Sequence, residues 1–550
     1  MRRLAAVVIV VVVAACQPGR PAASPRPGQP VPNLAADQTL RIQLTEGPRS
    51  FDPALQYLTS EEEVGRLYAE PLLRPTPDLS DVEGAAAQSY EVTPDGLTYT
   101  FHLRPNGQYS DGHLVTAPDF VFAWRRMIDP RIAAAHADFF AQAVRGGAEA
   151  EALDPKADAA RVDPALAALG LKAVDEFTFQ VTLPRPEGYF KWIATLWNGA
   201  PLRADVVQGQ GVPWASKPDT LVTNGPYRVS AMGATVILEA NSHYWGGRPP
   251  VSKVTAAVAN SADAVRRYQQ GDLDLAGVDP SQADQVAADR ALAADLVKTP
   301  RLSQHWIDFN VTKAPFDNQK VRQAFAEAID RSAYVKQALG GQGDAATALI
   351  PAGMPGHGQA AGNQGFDPQA AKALLTASGE PVSQFDGIQL LVADEPFAKA
   401  AAANLSAQLL ANLGVSLSVQ ALDAVKLGSR LQHGDFQIAG PLGWTADYPD
   451  PQDWLDLFRS DDYRDYPHWR NQRYDLLVDL ADQTQDAAKR LQAYNQAQQI
   501  LLAEMPVILL EQSRQWVLKK PYVTGVQTTP MDPGPFLGGL FVTRIYIANH

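Results

Sequence analysis

The stretch whose reading decides the fold is Gly434 to Phe458, GDFQIAGPLGWTADYPDPQDWLDLF. It opens as a strand, because apolar Phe436 and Ile438 alternate with Asp435 and Gln437 at the period of two that separates the faces of a sheet. Glycine and proline then interrupt the pattern. This predicts a loop carrying Trp444, Asp447, Tyr448, Asp450 and Asp453, with an amphipathic helix resuming at Trp454. An aromatic followed three residues later by an acid, held in a kinked loop, suits capture of an ammonium group. The carboxylate supplies charge-assisted hydrogen bonds, and the ring supplies an apolar wall and a cation–π face. The competing reading is a surface turn in which Asp447 and Asp450 are solvated and Trp444 packs inward.

Outward from this stretch the chain alternates strands and helices. Upstream lie a strand at His305 to Asn310, a long helix at Val321 to Leu339, and a helix from Asp367 to Ala377 with Asp367 as N-cap and Pro368 at its first position. A strand at Gln389 to Val392 and a helix from Lys399 to Leu413, closed by Gly414, complete the approach. Downstream come a helix at Ala487 to Glu504 and an apolar strand at Val507 to Leu510. The first half reads differently. Strand signals flank a hairpin turn at Asp95-Gly96, Thr116 precedes a helix from Phe120 to Ile128, and Ala133 to Leu169 is Ala-rich and helical in pattern. Thr39 to Leu44 and Phe177 to Leu183 alternate as strands.

With 550 residues, 46% of them hydrophobic and 19% charged, the chain has room for two to four domains and a large core. A net charge of -13, with basic residues clustered nowhere beyond the extreme N-terminus, argues against nucleic acid and anionic membrane surfaces as partners. The single cysteine, Cys16, follows a positive Met1-Arg2-Arg3 and an apolar Leu4 to Val13. Val13-Ala14-Ala15-Cys16 resembles a bacterial lipobox, with residues 1–15 as signal peptide, Cys16 acylated, and residues 16–38 as a Pro-rich flexible tether. One thiol at that position excludes disulfides, Cys-ligated zinc and a cysteine nucleophile within the mature fold. No phosphate loop, G-x-S-x-G elbow or H-E-x-x-H pair is present, and the nine histidines are scattered. No metal or cofactor is expected.

Taken in order, nine or so stretches resemble the solute-binding proteins of oligopeptide and dipeptide ABC importers, extracellular solute-binding family 5. They include FDPALQYLTSEEEVGRLYAEPLLR at 51–74, TNGPYRV at 223–229, NSHYWGGRPP at 241–250, FNVTKAPFDNQKVRQAFAEAIDR at 309–331 and GWTADYPDP at 443–451. The resemblance implies an α/β, two-lobed periplasmic-binding-protein-like fold (type II, with an extra subdomain) that closes by a hinge. Lobe I would comprise 39–54, 178–300 and 511–550, the additional subdomain 55–177, and lobe II 301–510. The strands near His305 to Asn310 and Val507 to Leu510 would cross between lobes.

The resemblance also implies a role for the opening stretch. Asp447 would receive a peptide's α-ammonium group, and Trp444 would line a side-chain pocket. The backbone of Thr445 and Ala446 would pair with the peptide as an added strand. Tyr448 is counted with them, and Tyr57 and Thr59 fall where the family's second peptide-pairing segment lies. The pattern departs from some oligopeptide binders just before Gly443, where Pro441 and Leu442 stand in place of a basic residue; Arg430 is the nearest alternative cation, with a structural salt bridge as its competing role. The expected protein is a monomeric, lipid-anchored, non-enzymatic binder on the outer face of a membrane, delivering short peptides to an ABC permease and its ATPase. The alternatives are another solute on the same scaffold (a metal complex, haem, a glutathione-like compound or an oligosaccharide) or a secreted hydrolase.

Overall fold

The computed structural model describes residues 33–209, 214–358 and 365–550, so residues 1–15, read above as a signal peptide, Cys16 and most of the expected tether lie outside the described residues. Residues 33–38, assigned above to the tether, are instead laced to the C-terminal segment. Leu34 bridges Ala548, the Ala35 N–H donates to the Ile547 carbonyl at 2.9 Å, and Gln38 bonds the Ile547 backbone in both senses. The ordered chain therefore begins before Thr39.

The main sheet has eleven strands among the described residues. One end is formed by Ser418–Leu422, Gln389–Ala393 and Ile438–Thr445, and the other by Leu275–Gly277, Thr39–Leu44, Lys253–Val258, Thr235–Ala240 and Tyr227–Ala231. Two long strands join the ends. Leu296–Phe309 and Val507–Lys519 run antiparallel as neighbours; the first pairs with Ile438–Thr445 and the second with Leu275–Gly277. Each end has its own core. Phe309, Phe325, Phe385, Leu405 and Leu510 pack at one end, and Leu40, Ile42, Phe101, Trp124 and Val254 at the other. Two end cores joined by two continuous strands are the physical content of two lobes, and a third cluster, which includes Leu302, Trp306, Trp454 and Leu509, packs on the middle of those strands. The long strands cross where the apolar runs at 305–310 and 507–510 place them.

A four-stranded antiparallel sheet, Ala87–Val92, Thr98–Leu103, Thr178–Thr182 and Leu171–Asp175 in spatial order, forms the insertion. The hairpin turn is built as expected: Gly96 adopts φ 72°, and the Thr93 N–H closes on the Thr98 carbonyl at 3.0 Å. The boundary at 177/178 needs correction. Thr178–Thr182, given above to lobe I, is an inner strand of the small sheet, because Phe179 and Val181 are buried facing Phe101 and Trp124.

Three helical expectations are also corrected. The long helix at 321–339 is two, Gln319–Glu327 and Arg331–Ala338, because Asp330 caps the second through the Ala333 N–H at 2.9 Å. The Ala-rich 133–169 stretch forms three short helices, Ala137–Ala143, Gly147–Glu151 and Ala159–Ala167. Gly146, at φ 79°, turns the chain between the first two. The helix expected from Trp454 is a single turn, Gln452–Leu455, running into a 3₁₀ turn at Asp456–Phe458.

Candidate ligand-binding cleft

The opening stretch behaves as a strand for longer than its composition suggests. Ile438–Thr445 continues through Pro441 to Trp444 and Thr445, and a register shift between Trp306 and Asp308 on the neighbouring strand accommodates the proline, which has no N–H for the ladder. Trp444 and Thr445 are therefore sheet residues, opposite Gln304 and Ser303. The loop begins at Ala446.

The phase of this ladder sets which backbone groups are free. The Ala446 N–H donates to the Leu302 carbonyl at 2.8 Å, so Ala446 is hydrogen-bonded across the strand pair. Antiparallel pairs alternate, so Gly443 and Thr445 turn their N–H and C=O groups to the opposite edge. On that edge the next strand, Gln389–Ala393, pairs only with Ile438 and Ala439. An unpaired strand edge is left at Gly443 and Thr445, and both residues line a cleft of about 810 Å³. Ala446, expected to pair with a ligand, is buried and its N–H is already used; Gly443, which the sequence reading passed over, takes its place. Glycine suits that position because a Cβ there would lie 2.6 Å from the Gln304 carbonyl oxygen and from the His305 ring.

Asp447 opens onto the same cleft, half-buried. Asp453, buried below it, accepts from the Asp447 N–H at 3.0 Å and from Trp444 Nε1 at 3.2 Å, and so sets the turn and the indole together. Nothing among the described residues donates to the Asp447 carboxylate or pairs with it as a salt bridge. Burial first, then the negative charges of Glu62 and Asp138, push this carboxyl up to about 7; Arg464 and Arg66 oppose the shift. Burial and Asp447 in turn push Asp453 well above the carboxylate range.

The facing wall comes from the insertion: Ala134 to Phe139, Gln142 and Glu151, with Tyr57 at the rim. Asp138 has no hydrogen-bond or ion-pair partner among the described residues. His136 stacks on Phe139 at 5.7 Å, its Nε2 is buried without a partner, and burial holds its imidazole below the ordinary histidine range, hence neutral. Arg464 lies 5.6 Å from the Trp444 ring centre, but Asp462 at 2.6 Å and Asp456 at 3.4 Å already engage it. The cleft thus presents carboxylates without intramolecular partners beside guanidiniums that have them. That pattern of charge suits a cation.

The other expected residues sort as follows. Tyr57 lines the cleft and is exposed; the Glu61 carboxylate holds its segment by accepting four backbone N–H groups, from Arg49, Ser50, Tyr57 and Leu58. Thr59 opens instead on a separate cavity of about 310 Å³, with Gln43, Glu46 and Arg514. Tyr448 does not face the large cleft. It is buried, donates to Gln452 Oε1 at 2.5 Å, lies parallel to Tyr189 at 6.3 Å and meets Phe139 edge-on at 5.8 Å. Asp450 pairs with Arg490 through two bonds of 2.6 Å, so Asp447 and Asp450 form no acid pair of the glycosidase kind. Arg430 donates to the Asp435 carbonyl and to Gln420. Glu62, Asp138 and His136 carry no local motif that would have marked them.

The family model described as bacterial extracellular solute-binding proteins, family 5 Middle, matches residues 81–465. The probable deoxycholate-binding periplasmic protein YgiS of Escherichia coli is 30% identical over 453 residues, covering 81% of this chain and 82% of its own. The periplasmic oligopeptide-binding protein OppA of Salmonella typhimurium is 28% identical over 546 residues, 94% of each chain. Among solved structures, Haemophilus influenzae OppA in complex with RPPGFSPFR superposes with a TM-score of 0.75 at 26% identity, over 94% of this chain and 100% of that one. The unliganded open form of the murein tripeptide-binding protein MppA gives 0.77 at 25% identity, over 94% and 99%. Two lobes on a mixed sheet, a cleft shared by one lobe and the insertion, and these matches agree: the chain belongs to family 5 of the bacterial extracellular solute-binding proteins.

Proposed function

We propose that this protein is the capture component of an ABC importer and that its ligands are short peptides. The peptide's α-ammonium group sits on Asp447, its first side chain lies along Trp444, and its backbone pairs with the free edge at Gly443 and Thr445. The observation that carries the reading is a half-buried carboxylate without an intramolecular partner, next to an unpaired strand edge, in a cleft of about 810 Å³. Ammonium and edge together are what all free peptides share, whatever their side chains. Lobe II with Asp447 and the insertion with Asp138 close over the ligand and present it to a membrane permease and its ATPase. The protein acts as a monomer tethered through acylated Cys16, and Cys16→Ala should leave the membrane fraction; a variant that stays membrane-bound at mature length overturns the anchor.

Asp447→Asn keeps the shape and removes the charge. Removing one partner of a buried pair costs about 3–5 kcal/mol, against under about 1 kcal/mol for an exposed pair. Calorimetry with a free tripeptide should therefore show affinity weakened by about two orders of magnitude or more. An N-acetylated tripeptide should lose a similar factor on the unmutated protein and little more on the variant. Equal affinity of variant and parent for the free peptide would sink the assignment. A second reading, another solute on the same scaffold, is favoured by the similarity to YgiS. Mass spectrometry of ligand released on denaturation separates the two, since only a peptide binder yields a ladder of mixed short peptides.

A further inference from the structure

A further cavity, of about 400 Å³, opens between the insertion and the segment carrying Val207, away from the ligand cleft. It lies between the helices Ala117–Ile128, Ala159–Ala167 and Ala204–Gly209. Phe122, Arg125, Arg126 and Asp129 reach it from the first helix at i, i+3, i+4 and i+7, one helical face, while Phe120, Trp124 and Met127 on the other face are buried in the core. The remaining wall is largely apolar, from Ile132, Leu166, Ala167 and Val207. Its size falls within the range of about 300–1,000 Å³ typical of small-molecule sites.

The charged groups at the cavity sort into pairs with one left over. Arg126 grips Asp52 with bonds of 2.9 and 2.5 Å. Arg131 holds Asp129 at 2.7 Å and Asp163 at 2.8 Å. Arg125 makes no hydrogen bond or ion pair among the described residues, and its Nε is buried without an acceptor. Arg322, a buried arginine of this chain, has its donors taken up by the carbonyls of Met505, Phe316 and Glu504. Arg125 itself is half-buried, and a donor such as its Nε, shut off from water, is costly unless something supplies the acceptor.

We propose that this cavity is a second binding site, distinct from the peptide cleft, for a small amphipathic monoanion. A carboxylate head sits on Arg125, and an apolar body lies against Phe122, Ile132, Leu166 and Val207. The head carries a single charge because Arg126 and Arg131 are already neutralised, and the carboxylates of Asp129 and Asp163 border the same space. A phosphate dianion would meet one free guanidinium and two negative neighbours.

The test is calorimetric titration of the purified protein with decanoate, and with decylamine as the cation of equal length. Decanoate should bind saturably at one site below about 1 mM, and decylamine should not. Arg125→Gln should weaken decanoate at least tenfold by removing the charge-assisted bonds, and Arg125→Lys should restore part of the loss. Leu166→Trp, which fills the cavity, should lower affinity as much. Melting temperatures near that of the parent would show that Arg125→Gln and Leu166→Trp, the two variants expected to lose affinity, both fold. No saturable decanoate binding, equal binding of decylamine, or unchanged affinity in both folded variants overturns the proposal.

Discussion

Asp447 is held in a turn whose geometry another carboxylate enforces. Because Asp453 takes the Asp447 N–H and the Trp444 indole N–H, the Asp447 side chain is left free toward the cleft. On the function proposed above, ligand capture at this carboxylate depends on pH. With the Asp447 carboxyl pushed up to about 7, the ligand-free protein holds a proton there over much of the range below neutrality. An ammonium ligand needs the ionised form, so affinity for a free tripeptide should fall as pH drops from 8 to 5.5. The same titration with Asp447→Asn should be much flatter. Stability runs the other way. The folded state binds this proton more tightly than the unfolded chain, so this carboxyl's contribution is present at low pH and is lost as pH rises from about 4 through 7. Without ligand, Asp447→Asn should therefore raise the melting temperature more at pH 8 than at pH 5. Parallel pH profiles for variant and parent, in both binding and melting, would show that Asp447 is an ordinary solvated carboxylate.

At the scale of elements, the strand Ile438–Thr445 matters through the phase of its hydrogen bonds rather than through its side chains. One bond, Ala446 N–H to the Leu302 carbonyl, commits the even-numbered residues near the strand's end to the sheet and turns Gly443 and Thr445 outward. A peptide that adds a strand there must offer its own N–H groups. N-methylation of the peptide bonds that face this edge, with the terminal ammonium left intact, should weaken binding by about tenfold per lost bond if the donors it leaves behind are desolvated. N-methylation of an amide pointing the other way should change little. Equal losses at every position would show that the backbone is held from both sides, and no loss at any position would remove strand addition from the account.

For the molecule as a whole, two continuous strands join the lobes and give them an axis about which to close, with the cluster around Trp306, Trp454 and Leu509 packed beside it. Tyr448 already meets Phe139 and Tyr189 across from the loop, an aromatic contact between the turn carrying Asp447 and the rest of the cleft wall. Ligand should favour the closed arrangement. Small-angle scattering with saturating tripeptide should then give a smaller radius of gyration, and the melting temperature should rise with ligand concentration, because only the native state binds. An unchanged radius at saturation would mean that the ligand enters a cleft that does not close.

Much was legible in the chain alone because it rests on local chemistry. The Asp95-Gly96 turn, the Asp367 cap with Pro368, the closing Gly414, and the apolar strands at 305–310 and 507–510 each follow from neighbours a few residues apart. The helix breaks at Gly146 and Asp330 were local too, but Ala-rich and amphipathic patterns masked them. The order of the motifs along the chain was enough to indicate the family and to single out Asp447. Only the tertiary structure could decide which backbone groups around Asp447 are free, since that depends on a partner strand more than a hundred residues away and on where the next strand stops. The charge of the cleft was equally out of reach: Glu62 and Asp138 act on Asp447 from segments more than three hundred residues earlier, and a carboxylate's field acts through space, not along the sequence.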